Sequence, residues 1–157
     1  MSECLLYLKF SILEPKDKIR TVISELGKNI SIEKISSVFK RKNFGNANFA
    51  NSQEFVVRGK TELTALDLNK KLSLKIQNLD TSYKIELLSY DNEIRLTPQL
   101  TLPHPQLFLD PLILHCSSEI WPEYIHPVNG DSLRKSDQES ESENLEFLYQ
   151  GKYFLSH

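Results

Sequence analysis

The sequence predicts an α+β protein: an antiparallel sheet with helices packed on one face and further elements at the C-terminal end. Three observations predict it. Short apolar runs of strand length alternate with two stretches of helical periodicity, in the order strand, helix, strand, strand, helix, strand. A length of 157 residues with 39% hydrophobic side chains suits a single domain that buries most of its unfolded surface. Five Gly and seven Pro exclude a collagen-like or low-complexity chain.

The elements follow in order. Leu5-Leu6-Tyr7-Leu8 with Phe10 reads as a buried strand ahead of Pro15. Ile19, Val22, Ile23 and Leu26 then recur at helical spacing, with Gly27 placed as a C-cap glycine. Ile30, Ile32, Ile35, Val38 and Phe39 form a second extended segment, and Lys40 to Ser52 reads as a long loop opened by Lys40-Arg41-Lys42. Phe55-Val56-Val57 starts a third strand. Thr64 is a cap for a helix whose Ala65, Leu68, Leu72 and Ile76 share a face. Tyr83, Ile85, Leu87, Leu88 and Tyr90 make a fourth strand, Asp91-Asn92 a turn, and Ile94 to Leu96 a candidate fifth. Pro98, Pro103 and Pro105 enforce a loop. Asp110-Pro111 then has the form of an N-cap and first-turn proline, opening a helix toward Ile120.

After Pro127 the chain turns polar, and residues 131–144, with acids running from Asp137 to Glu146, read as mobile. Phe147 to Leu155 is apolar enough to pack back as a hairpin or short helix. The core order βαββαβ is the split βαβ arrangement of ferredoxin-like sheets. Residues 1–157 are read as one domain.

Composition narrows function by exclusion. Formal net charge is −2, but residues 1–80 carry 14 basic and 9 acidic side chains, and residues 81–157 carry 5 and 12. That asymmetry favours an anion near the first half or, more plainly, a solvated surface with an acidic tail. The longest apolar runs are four or five residues, too short to cross a membrane. No secretory pattern opens the sequence, and two cysteines give neither a disulfide framework nor a metal spacing, so a cytoplasmic location is expected. Nucleic acid is a weak option because no RNA-binding signature accompanies Tyr7, Phe55, Tyr83 and Tyr90.

Chemistry-bearing residues are few. His104, held between Pro103 and Pro105, would present its ring from a rigid turn, suited to a phosphate or to acid–base work. His115, His126 and His157 have no partners by spacing. Glu86, the one acid of the fourth strand, is placed to hold Mg²⁺. Lys84 lies on the same face two residues earlier and reads more simply as its ion-pair partner. Lys40-Arg41-Lys42 offers phosphate contacts or a solvated cluster.

One block is more specific. Thr101-Leu102-Pro103-His104-Pro105, then Leu112-Ile113-Leu114 and Glu119-Ile120-Trp121-Pro122, resembles the C-terminal block of the 6-hydroxymethyl-7,8-dihydropterin pyrophosphokinases. There "T-(L/V)-P-H-P" leads into "R-x-F-(V/M)-L-x-P-L-x-E-I-x-P". Tyr90 to Glu93, Ser36 to Phe39 and Lys60-Thr61 extend the likeness over nearly the whole chain. The resemblance implies a ferredoxin-like fold and transfer of pyrophosphate from ATP to a hydroxymethyl pterin with Mg²⁺, in folate biosynthesis. It implies ATP contacts for Thr101 and His104, a metal ligand in Glu86, and nucleotide and pterin as small-molecule partners.

The sequence also departs from the pattern. The family's D-L-D, whose acids bridge two metals, is Lys84-Ile85-Glu86 here. Its helix-terminal Glu is Gln77, and its arginine loop is missing, since six residues separate Gln77 from Lys84. On the pterin side, Gly-Ser-Asn is Phe10-Ser11-Ile12, the pterin-bonding Asn falls at Glu54 with Ser52 in place of an aromatic, and R-x-F is Asp110-Pro111-Leu112. These departures set a second expectation beside the transferase: a non-catalytic descendant that binds a protein or an altered ligand.

Overall fold

The structure, a computed structural model, describes residues 1–41, 51–78, 83–140 and 145–155, with 75–78 by backbone only. Its first strand, β1 (Ser2–Ser11), explains the unbroken apolar run of the sequence, because both faces of it are covered. Cys4, Leu6, Leu8 and Phe10 point to one core; Leu5 and Tyr7 point to another. α1 (Lys16–Leu26) buries the predicted Ile19, Val22, Ile23 and Leu26. Gly27 corrects a detail, for its φ of −61° is right-handed, and the chain winds on until Ile30 N–H donates to Leu26 O at 3.2 Å.

The second extended segment divides at Ser36 into β2 (Ser31–Ile35) and β3 (Ser37–Arg41). The Ser36 hydroxyl accepts the Val56 N–H at 2.9 Å, so the side chain completes the bonding where the strand bends. β3 takes in Lys40 and Arg41, where the sequence predicts a loop, and β4 (Ser52–Thr61) begins earlier than Phe55. Lys42 and the remainder of that loop lie outside the described residues. α2 (Ala65–Asn78) follows, its Asp67 N–H donating to the Thr64 hydroxyl at 3.2 Å as expected of a cap. β5 (Tyr83–Tyr90) is the next long strand, the fourth that the sequence predicts once β2 and β3 are taken as one.

Ile94 to Leu96 does not extend the sheet. Arg95–Leu96 (β6) instead pairs with Thr101–Leu102 (β7) in a separate two-stranded ribbon. A four-residue α3 (Gln106–Leu109) leads to α4 (Pro111–Ile120), where Asp110 accepts the N–H groups of Leu112 and Ile113 at 2.9 and 3.2 Å and Pro111 stands in the first turn.

The sequence predicts a mobile segment over 131–144; within it the structure places α5 (Leu133–Glu139). Its apolar content is too small for periodicity to show. Ser132 caps it by accepting the Lys135 N–H at 3.1 Å, buried Leu133 anchors it, and Asp137 reaches His115 of α4 at 3.2 Å. Residues 141–144 lie outside the described residues. β8 (Glu146–Gln150) and a 3₁₀ turn (Gly151–Leu155) end the description, in keeping with a C-terminal stretch that packs back.

The main sheet is antiparallel in the order β5-β1-β4-β3-β8, with β2 continuing the β3 line along the other half of β4. Taking β2 and β3 together, β5-β1-β4-β2/β3 is the ferredoxin-like order, and β8 is an added edge. α1 and α2 cover one face, where Ile19 and Leu26 of α1 and Leu68 and Leu72 of α2 share a core with Phe10 and Phe55. The C-terminal additions cover the other: Leu112, Ile113, Cys116, Ile120 and Leu133 meet Leu5, Tyr7, Val56 and Leu88. Two glycines permit close approach, since a Cβ on Gly59 would lie 2.4 Å from Ile30 Cγ2 and one on Gly151 2.1 Å from Ser36 O.

Candidate functional site

Strand alternation sends Tyr83, Ile85 and Leu87 into the α1/α2 core and turns Lys84 and Glu86 to the opposite face. Register sets Lys9 directly across from Lys84, and Tyr7 across from Glu86. The proline-flanked loop then closes on this edge. His104 N–H donates to Leu88 O at 2.7 Å, which seats the loop on β5. The His104 ring accepts the Gln106 N–H at Nδ1 (3.1 Å), leaving Nε2 3.3 Å from Glu86 Oε2. With Nδ1 an acceptor, the neutral ring carries its proton on Nε2, the nitrogen nearer the carboxylate. Lys84 Nζ lies 3.1 Å from the other oxygen, Oε1.

Two of the three residues singled out in the sequence, Glu86 and His104, are thus in contact. Thr101 sits in β7, paired with Leu96, and its hydroxyl donates to Thr97 O at 3.4 Å. The ion pair read between Lys84 and Glu86 is present. It is half-exposed, worth at most about 1 kcal/mol.

The centre of the same face holds a group that the sequence did not reveal. Glu54 is fully buried in β4 and accepts from the Ser52 hydroxyl (2.6 Å), the Tyr7 hydroxyl and Arg41 Nε (2.9 Å). Arg41 Nη2 bridges to both oxygens of Asp110 at 2.8 Å, and Asp110 also caps α4. Burial alone would lower the Arg41 pKa, but the Asp110 hydrogen bonds and the Glu54 charge raise it above its usual value. Burial first, and then the Glu54 charge, push the Tyr7 phenol up. Both acids are therefore met by one guanidinium in fork geometry.

Arg41 escaped the sequence reading because three adjacent cations look like a solvated cluster. Pairing separates them: Lys40 is opposite Gln53, whereas Arg41 is opposite Ser52 on the other face. Period-2 alternation carried through Arg41 is the sequence signal that sets it apart from Lys40. A second carboxylate ties α4 to the same strand, as Glu119 accepts the Ser37 N–H at 2.8 Å and its hydroxyl at 2.6 Å.

The other histidines are structural in their contacts. His115 pairs with Asp137 and stands edge-on to Phe39, and His126 accepts the Val128 N–H at 3.3 Å. His157 and the Gln77 side chain lie outside the described residues. No group of three or more His, Cys, Asp or Glu able to hold a metal occurs among the described residues. Glu86 is a lone carboxylate beside an ammonium, so the donor set does not fit a pair of divalent ions. No helix among the described residues is long and apolar enough to cross a membrane.

Comparison with known proteins gives a consistent result. No protein-family model matches the chain. It is similar to a 2-amino-4-hydroxy-6-hydroxymethyldihydropteridine pyrophosphokinase of Aquifex aeolicus, 32% identical over 135 residues that cover 78% of this chain and 82% of the relative. Among solved structures, wild-type HPPK-DHPS of Plasmodium falciparum with SDX-DHP superposes with a TM-score of 0.69 at 12% identity, covering 88% of this chain and 43% of that one. A triple mutant of the same protein gives a TM-score of 0.75 at 12% identity, covering 88% and 41%. The chain thus spans about two fifths of those longer chains, and at that identity the likeness speaks for the fold.

Proposed function

Because the chain belongs to the 2-amino-4-hydroxy-6-hydroxymethyldihydropteridine pyrophosphokinase family, we propose that it acts on that family's two substrate classes in the cytoplasm, transferring a pyrophosphoryl group from ATP to 6-hydroxymethyl-7,8-dihydropterin. In this reaction the hydroxymethyl oxygen attacks the β-phosphorus and gives up its proton to solvent, the bond from that phosphorus to the α,β-bridging oxygen breaks, and AMP departs with that oxygen. Such transfers depend mainly on positioning and on neutralising the phosphate oxygens.

The observation that carries the reading is His104. Its backbone is bonded to β5 and its Nδ1 is occupied, so Nε2–H is directed to the Glu86 edge, where a phosphate oxygen would compete with the carboxylate for it. Thr101, at the base of the same loop, is assigned to the nucleotide side, and Glu86 is the residue that would hold a Mg²⁺. The family's chemistry uses two such ions, and a lone carboxylate beside an ammonium does not fit such a pair.

A coupled assay for AMP release from ATP and the hydroxymethyl pterin tests the proposal. Turnover dependent on His104, lost in His104→Ala, is expected; absence of AMP overturns it. One observation favours a second reading, binding without turnover. Glu54 and Asp110, where the resemblance puts pterin contacts, are already bonded to Arg41. Calorimetry with an ATP analogue and Mg²⁺ is expected to give affinity weaker than micromolar.

A further inference from the structure

We propose that the β1/β5 face beside His104 is a metal-independent polyphosphate site, in which Lys9 and Lys84 hold directly the anion that paired divalent ions would otherwise bridge. The inference builds on the nucleotide reading of His104 and replaces its metal.

Three observations carry it. First, Lys9 and Lys84 are cross-strand partners on one face. Side chains so placed start about 4.5–5.5 Å apart, and like charges there repel unless an anion lies between them. Second, the available acids do not match them. Glu86 is divided between Lys84 at 3.1 Å and His104 at 3.3 Å. Glu54, across Lys9 on its other side, is fully buried and bonded to Arg41, Tyr7 and Ser52. Lys9 therefore has no carboxylate within ion-pair distance among the described residues.

Third, the groups left over have the form a polyphosphate needs. Two ammonium groups supply point charges for successive phosphates, and His104 Nε2–H supplies a donor at the Glu86 end of the row. Two ammonium groups against one carboxylate leave a local excess of one positive charge. A ligand with several adjacent anionic groups satisfies that arrangement better than an isolated monoanion does.

The test titrates the full chain with inorganic tripolyphosphate in excess EDTA, and again with Mg²⁺, by calorimetry. Binding is expected in EDTA, and Mg²⁺ is expected to leave it unchanged or to weaken it by competing for the anion. Lys9→Met and Lys84→Met should each lower the affinity about tenfold, and Lys84→Asp should abolish it. Lys135→Met, which removes an exposed cation paired to Asp131 on α5, should have no effect. Circular dichroism of each variant establishes that it is folded.

Binding that requires Mg²⁺, no binding in EDTA, or equal binding by folded Lys84→Met overturns the proposal. The AMP assay separates it from the function above. Tripolyphosphate binding without AMP release supports this site and removes the transferase reading; Mg²⁺-dependent turnover indifferent to both lysine variants does the reverse.

Discussion

The centre and the β5 edge of one sheet face treat charge in opposite ways. At the centre, Glu54, Arg41 and Asp110 satisfy one another, with Tyr7 and Ser52 completing the Glu54 shell. At the edge, Lys9, Lys84, Glu86 and His104 leave positive charge unmatched and partly open to water. Burial explains the contrast, since a buried ion must be paired or it costs several kcal/mol, whereas a half-exposed one is tolerated. The closed group is thus expected to act on stability, and the open one on binding.

The largest test of this division is Arg41→Met. It strands Glu54 in the interior and should cost about 3–5 kcal/mol in urea unfolding. Adding Glu54→Gln should recover part of that loss, because the uncompensated charge is then gone. A cost under about 1 kcal/mol for the single variant would erase the distinction between the regions.

Gly151→Ala comes next. A methyl 2.1 Å from Ser36 O must displace the bend between β2 and β3, at an expected cost of about 1–3 kcal/mol by calorimetry.

Alkaline pH probes the opposite face of the sheet, against which α1 and α2 pack. Burial pushes the Cys4 thiol up to about 12 from 9.0, and the Tyr149 phenol up to about 12 from 10.0. Between those values the unfolded chain loses protons that the folded chain keeps, so stability should fall as pH rises from 9 toward 12. Tyr149→Phe should flatten the upper part of that decline, followed by unfolding midpoints across the range.

The smallest stability effect belongs to the edge. Lys84→Met should shift unfolding by less than about 1 kcal/mol, as its ion pair is half-exposed, while reducing anion binding. Lys84→Asp alone should not create AMP release where none exists, because one added carboxylate does not restore the arginine loop that the sequence lacks. Turnover gained by that single change would show the edge to be a metal site in disguise.

The sequence was most legible where one periodicity ruled a long segment. Ile19, Val22, Ile23 and Leu26 point to a helix without help from tertiary structure, and Asp110-Pro111 marks the start of another. It was least legible where a few side chains decide. α5 rests on Leu133, a serine cap and one contact to His115, and the β2–β3 bend rests on the Ser36 hydroxyl. At the site, His104 and Glu86 are visible individually, from the proline frame and from being the strand's lone acid. Their 3.3 Å meeting depends on a loop folding back on β5 through a backbone bond that no side-chain pattern encodes. The pairing of Lys9 with Lys84 needs the register between strands some 75 positions apart, which local patterning does not contain.

α4 is fastened to β3 at both extremities: Asp110 grips Arg41 at the strand's far end, and Glu119 grips Ser37 at its beginning. A helix buckled twice to one strand cannot peel away from either end alone. Amide protons of α4 and of Ser37–Arg41 should consequently exchange with deuterium together, as a single late-opening unit.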